Sequence, residues 1–136
     1  MDFILQSDGE QSVDKGYHLI LDAFSSDAAK LNDGTVISNC LEQIILLAGM
    51  KKIGGPYTNK YTDCPTKESG ITSLVMLAES DAAIHTYPYK NYLAFSLFSC
   101  KAFDTDKIIR YLKDELSLTK IAKRTLIRGL AVIDSR

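Results

Sequence analysis

Three apolar segments follow one another almost without pause between residues 71 and 100: "ITSLVMLA" (71–78), "DAAIHTY" (81–87) and "YLAFSLFSC" (92–100). Each has the length and apolar content of a strand. Hairpins can join them, which suits a mainly antiparallel sheet. The third segment is apolar on both faces, as a central strand is. This block makes a mainly antiparallel sheet the middle of the fold.

The flanks supply the other layer. "YHLILDAF" (17–24) reads as a further strand. After a loop at 25–34, with room for a helical turn, Ile37, Leu41, Ile44, Ile45 and Ala48 recur as one face of an amphipathic helix. Asp33 or Thr35 is placed to cap its start and Gly49 to end it, and Cys40 falls inside it. "DTDKIIRYLKDELS" (104–117) is a second amphipathic helix, striped by Ile108, Leu112 and Leu116 and capped by Asp104 or Thr105. "KRTLIRGLAVI" (123–133) reads as a closing strand, with Lys120, Lys123, Arg124 and Arg128 as a solvated face. The stretch 51–70 begins as a possible short strand and becomes a loop, because Gly-Gly-Pro and Cys-Pro interrupt regular structure. A loop that long often carries function, and its Tyr57 and Tyr61 can cover a ligand.

Residues 1–15 read as a flexible polar segment and 16–136 as one domain. The order of elements gives an α+β two-layer sandwich, a mainly antiparallel β-sheet with two helices on one face. The sheet's other face needs cover, so a homodimer is expected.

Composition narrows the partners. The 136 residues carry a net charge of −1, which makes no electrostatic case for nucleic acid or an anionic membrane. The longest apolar run, "IILLAGM" (44–50), falls far short of the roughly 20 residues that span a bilayer. The first 15 residues lack the pattern of a secretory leader, and a cytoplasmic location is expected. Cys40, Cys64 and Cys100 are an odd, widely spaced set, which suits free thiols in a reducing compartment. Neither Cys-x-x-Cys nor a close histidine pair is present, so no metal is expected.

The chemistry gathers in "ESDAAIHTYP" (79–88), where Glu79, Ser80 and His85 fall within seven residues, while Cys100 ends the next strand. A hairpin could bring hydroxyl, imidazole and thiol to one end of the sheet. Three mechanisms fit: a serine nucleophile with a histidine base, a Cys–His thiolate pair, or self-cleavage. In the last, the Ser80 hydroxyl attacks the Glu79 carbonyl, the ester eliminates, and the resulting dehydroalanine hydrolyses to a pyruvoyl group. Such a carbonyl forms a Schiff base with a substrate amine and serves as an electron sink. Spacing does not choose among these, nor against ordinary structural roles for a strand serine, histidine and cysteine. The lack of Gly-x-Ser-x-Gly counts against a hydrolase.

"GITSLVMLAESDAAIHTYP" (70–88) resembles the matching segment of the short prokaryotic S-adenosylmethionine decarboxylase proenzymes, a pyruvoyl-dependent family. That segment has a glycine, a hydroxyl residue two positions on, a strand, Glu-Ser, then Ile-His-Thr-aromatic-Pro. The likeness continues through "YLAFSLFSC" and, more weakly, through "GYHLILDAF" (16–24), the first helix, "IIRYLKDEL" and "IRG". The resemblance implies cleavage between Glu79 and Ser80, with Ser80 the precursor of the pyruvoyl cofactor. It makes His85 a promoter of processing, puts Thr72 where the family has an assisting serine, and has Cys100 return a proton to the α-carbon after CO2 leaves. It further implies a dimeric α+β sandwich with active sites near the interface, and a product that donates aminopropyl groups for spermidine.

Three positions depart from the family: Asp81 replaces a histidine, Tyr87 a tryptophan, and Tyr89 a glutamate suited to the ribose hydroxyls. Tyr87 and Tyr89, with Tyr61 of the 51–70 stretch, are the candidates for substrate contact. The departures keep two alternatives open. One is the same cofactor acting on ornithine or arginine, with Asp81 either a partner for the cationic side chain or, the reading favoured, an exposed strand residue. The other is an unprocessed homologue that serves as a regulatory or binding partner of a related enzyme. No task follows for His18, Cys40 or Cys64.

Overall fold

The hairpin block folds as its short connections dictate. In the computed structural model, which describes residues 13–62 and 69–134, β3 (Gly70–Leu77), β4 (Ser80–Tyr87) and β5 (Tyr92–Ser99) are antiparallel neighbours. β1 (Gly16–Ser25) lies between β5 and β6 (Leu118–Arg128), and β2 (Lys52–Tyr61) flanks β3. The six-stranded sheet runs β2-β3-β4-β5-β1-β6, with every neighbouring pair antiparallel.

Two long helices cover one face. α2 (Gly34–Ala48) starts where the Asp33 carboxylate accepts the amides of Thr35 and Val36, and stops at Gly49 in the left-handed region, φ 66°. α3 (Thr105–Glu115) starts at Asp104, whose carboxylate accepts the Lys107 amide. Ile37, Leu41 and Ile44 of α2 and Ile108 and Leu112 of α3 form one buried cluster with Leu19, Leu21, Ile84, Phe95 and Leu97 of the sheet. Two short helices, α1 (Ala28–Leu31) and α4 (Leu130–Asp134), complete the chain. The buried Thr86 hydroxyl ties α1 to the sheet. It donates to the Leu31 carbonyl at 2.7 Å and accepts the Ile71 amide at 2.8 Å.

Side chains alternate across a strand, so the residues that point away from the helices form a second, open face. Thr72, Leu74, Met76, Asp81, His85, Asp22, Phe24 and Leu126 share it by register. Leu74, Met76, Phe24 and Leu126 are exposed there. The α+β two-layer sandwich with helices on one face is the architecture observed.

Two segments differ from the sequence reading. The region expected to dissolve into a loop after residue 51 is a ten-residue edge strand, β2. Its pairing jumps from Gly54 to Tyr57, so Gly55 and Pro56 are absorbed in a bulge, where the missing proline N–H costs no ladder bond. The closing strand begins earlier, at Leu118, and ends at Arg128. Gly129, φ 116°, then turns the chain into α4, whose Leu130 and Ala131 amides bind the Val13 and Asp14 carbonyls. Lys123 also leaves the expected solvated row and approaches Asp106 of α3 at 3.6 Å. Cys64 and most of the expected flexible segment lie outside the described residues.

Candidate active site

The Glu79–Ser80 peptide sits in the tight turn between β3 and β4, where Leu77 pairs with Ser80. Glu79 has φ 58°. For a residue with a Cβ, this left-handed conformation costs roughly 1–2 kcal/mol. Ser80 opens β4, half-buried, with its hydroxyl donating to the Ala78 carbonyl at 3.3 Å. Across the next pair Ser80 faces Ser99, and Cys100 follows directly. Cys100 is a half-buried free thiol. Burial, and then the nearby Glu79 carboxylate, pushes its pKa up, so the thiol keeps its proton at neutral pH.

Thr72 and His85 face each other across β3 and β4, with Thr72 Oγ1 and His85 Nδ1 3.2 Å apart. They lie on the open face. His85 does not reach Ser80 of its own chain. Five residues of strand separate them, about 16 Å at ~3.3 Å per residue, and an odd spacing puts them on opposite sides of the strand. The expected gathering of Ser80, His85 and Cys100 at one sheet end is therefore corrected. Glu79, Ser80 and Cys100 share that end, and Thr72 with His85 forms a second group.

Beyond His85 the open face becomes aromatic. Tyr87 stacks on Tyr92, with ring centres 5.1 Å apart and planes 18° from parallel. Tyr89 and Phe24 meet this pair edge-on. The Tyr92 hydroxyl donates to Asp22 Oδ1, and this bond, with burial, raises Tyr92 to about 12. Tyr61 is held elsewhere: its hydroxyl donates to the Thr86 carbonyl at 2.9 Å, beside Gly70. Sequence reasoning missed Asp22 and Tyr92. The available signal was the one charge inside the apolar run "YHLILDAF".

Toward the Ser80 end, Asp81, Phe98 and His18 stand in one row of the open face. Arg128 lies over the Phe98 ring, 4.4 Å from its centre, and 3.5 Å from His18 Nδ1. Burial and the Arg128 charge lower the His18 pKa, and Asp81 opposes them. Asp81 is an exposed strand residue, the favoured of its two readings. Among the described residues no three His, Cys, Asp or Glu side chains gather as a metal site, and no helix is long and apolar enough to cross a membrane.

Comparison with known proteins finds similarity in both sequence and fold. The chain is 28% identical over 115 residues to an S-adenosylmethionine decarboxylase proenzyme of Clostridium botulinum, covering 84% of this chain and 94% of the relative. A proenzyme of the same name from Synechococcus is 31% identical over 114 residues, covering 83% and 84%. The crystal structure of the adenosylmethionine decarboxylase from Aquifex aeolicus superposes with a TM-score of 0.65 at 26% identity, over 84% of this chain and 90% of that one. The profile described as S-adenosylmethionine decarboxylase matches residues 17–129. That span runs from β1 to the end of β6 and takes in both groups of polar residues, so the chain belongs to the S-adenosylmethionine decarboxylase family.

Proposed function

We propose that this chain is a proenzyme that cuts itself between Glu79 and Ser80, turns Ser80 into a pyruvoyl group, and decarboxylates S-adenosylmethionine. The observation that carries the reading is the left-handed Glu79 at the turn, with a serine hydroxyl on its C-terminal side and a free thiol one strand away. Backbone strain of this kind persists where the surrounding fold enforces it, and cleavage releases it.

The steps balance. Ser80 Oγ attacks the Glu79 carbonyl carbon, the C–N bond breaks, and an ester with a free Ser80 amine results. Loss of the Ser80 α-proton expels the Glu79 carboxylate and leaves dehydroalanine. Water then replaces the nitrogen, ammonia departs, and a ketone remains at residue 80. That carbonyl supplies the electron sink for decarboxylation. The position suits it: a half-buried strand end beside Ser99 and Cys100. The Cys100 thiol holds a proton for the carbon that has lost CO2.

His85 and Thr72 serve this chemistry from a second copy of the chain. Their own Ser80 is about 16 Å away, and the open face on which they lie exposes Leu74, Met76 and Leu126 to a partner. Two open faces packed with opposed strand ends bring each Thr72–His85 pair toward the other chain's Glu79–Ser80 peptide. Purified protein should release labelled CO2 from carboxyl-labelled S-adenosylmethionine and lose that activity after borohydride treatment. Release from ornithine or arginine instead would overturn the substrate.

A further inference from the structure

The glutamate that would meet the ribose hydroxyls is replaced by Tyr89, and the open face carries another carboxylate that can do its work. We propose that Asp22 and Tyr92 form the acceptor pair for the ribose diol of the substrate and so determine its specificity; the inference rests on the decarboxylase reading above.

Asp22 stands in the same row as the Thr72–His85 pair. His85 pairs with Ala94, Ala94 with Asp22, and Asp22 with Ala122. Two strand spacings of ~4.8 Å put Asp22 roughly 10 Å from His85 along the row. Alanines flank the aspartate on both sides and leave it in a trough. A cavity of about 140 Å³ opens there, lined by Asp22, Phe24, Tyr92, Lys120 and Ala122 among others. A second hollow of about 300 Å³ continues past Asp22 toward Arg124.

The chemistry of the pair suits two adjacent hydroxyls. Tyr92 donates to Asp22 Oδ1, which fixes the carboxylate and leaves Oδ2 to accept. The phenol oxygen, its own proton already given to Asp22, accepts as well. Two acceptors side by side are what a cis-diol needs, and a substrate lacking either hydroxyl would leave one of them desolvated and unpaired. The raised pKa of Tyr92 keeps it the donor to Asp22 across the working pH range. The stacked rings of Tyr92 and Tyr87, with Phe24 at the edge, offer an aromatic surface to the purine.

Calorimetric titration of the purified protein with adenosine and with 2′,3′-dideoxyadenosine tests this without any turnover. Adenosine is expected to bind at least ten-fold more tightly to the wild-type protein. Asp22→Asn should reduce that preference below three-fold, and Tyr92→Phe should reduce it part of the way. With S-adenosylmethionine, Asp22→Asn should raise KM at least ten-fold, with kcat within two-fold and cleavage after Glu79 unchanged. An unaltered adenosine preference in Asp22→Asn, or no preference in the wild type, would overturn the assignment. A variant that loses S-adenosylmethionine but keeps the preference would give Asp22 to the sulfonium charge instead, which also overturns it. If Asp22→Asn does not fold, Tyr92→Phe decides: a preference smaller than the wild type's supports the assignment, and one left at the wild-type value overturns it. Failure of the decarboxylase reading would look different: the diol preference would stand while no CO2 left S-adenosylmethionine.

Discussion

Thr72 and His85 are joined across two neighbouring strands at 3.2 Å, yet about 16 Å of strand separates them from the serine they are expected to serve. If a second copy supplies them, two inactive chains should rescue each other. Ser80→Ala and His85→Ala chains, each uncleaved alone, should yield cleavage of the His85→Ala chain when refolded together. Gel analysis of the mixture checks this. An absence of fragments would require a different route for the proton.

Cys100 is expected to act after processing, so Cys100→Ser should cleave normally and lose about 100-fold or more in CO2 release, the lower end of what general acid catalysis contributes. The thiol pKa is raised, so the proton-bearing form persists above the ordinary thiol range. The wild-type rate, where limited by this donor, should hold through neutral pH and fall only as the thiol ionises. A pH–rate profile of kcat reads this limb.

His18 should titrate below an ordinary histidine, because burial and Arg128 favour the neutral ring more than Asp81 favours the charged one. Asp81→Asn should lower its pKa further, and Arg128→Gln should raise it. NMR titration of the His18 ring protons distinguishes these directions. Because the folded state binds the proton less readily than the unfolded state, His18 costs stability as pH falls through about 6.5 toward its lower folded value. The drop in melting temperature over that window should shrink in His18→Gln.

Thr86 offers a test of the scaffold. Its buried hydroxyl serves the Ile71 amide and the Leu31 carbonyl at once. Thr86→Val keeps the shape and strands both groups, and should cost about 2–6 kcal/mol, from roughly 1–3 kcal/mol per orphaned buried group. Gly70→Ala should also destabilise strongly, since a Cβ there would lie 2.1 Å from the Thr86 carbonyl oxygen. Urea unfolding midpoints measure both.

The central strands, the two helices and their caps were legible because burial imposes periods of two and 3.6 on the sequence. The edge strands were less so. β2 carries Asn59 and Lys60 toward water and hides Pro56 in a bulge, and β6 exposes Lys120 and Arg124 at one edge of the sheet. The Glu79–Ser80 pair stood out because the motif that carries the resemblance is local. The division of labour between Ser80 and His85 was not legible: five residues are near in sequence but far along an extended strand. Asp22 and Tyr92, seventy positions apart, meet only through strand pairing, and the lone charge in "YHLILDAF" marks Asp22 without pointing to its partner.

The measurement that tests the account most directly is the intact mass of the purified protein under denaturing conditions. The account expects two fragments, residues 1–79 and 80–136, the second beginning in a pyruvoyl group, and a single uncut chain in Ser80→Ala. A wild-type protein that stays one full-length chain after prolonged incubation would contradict it.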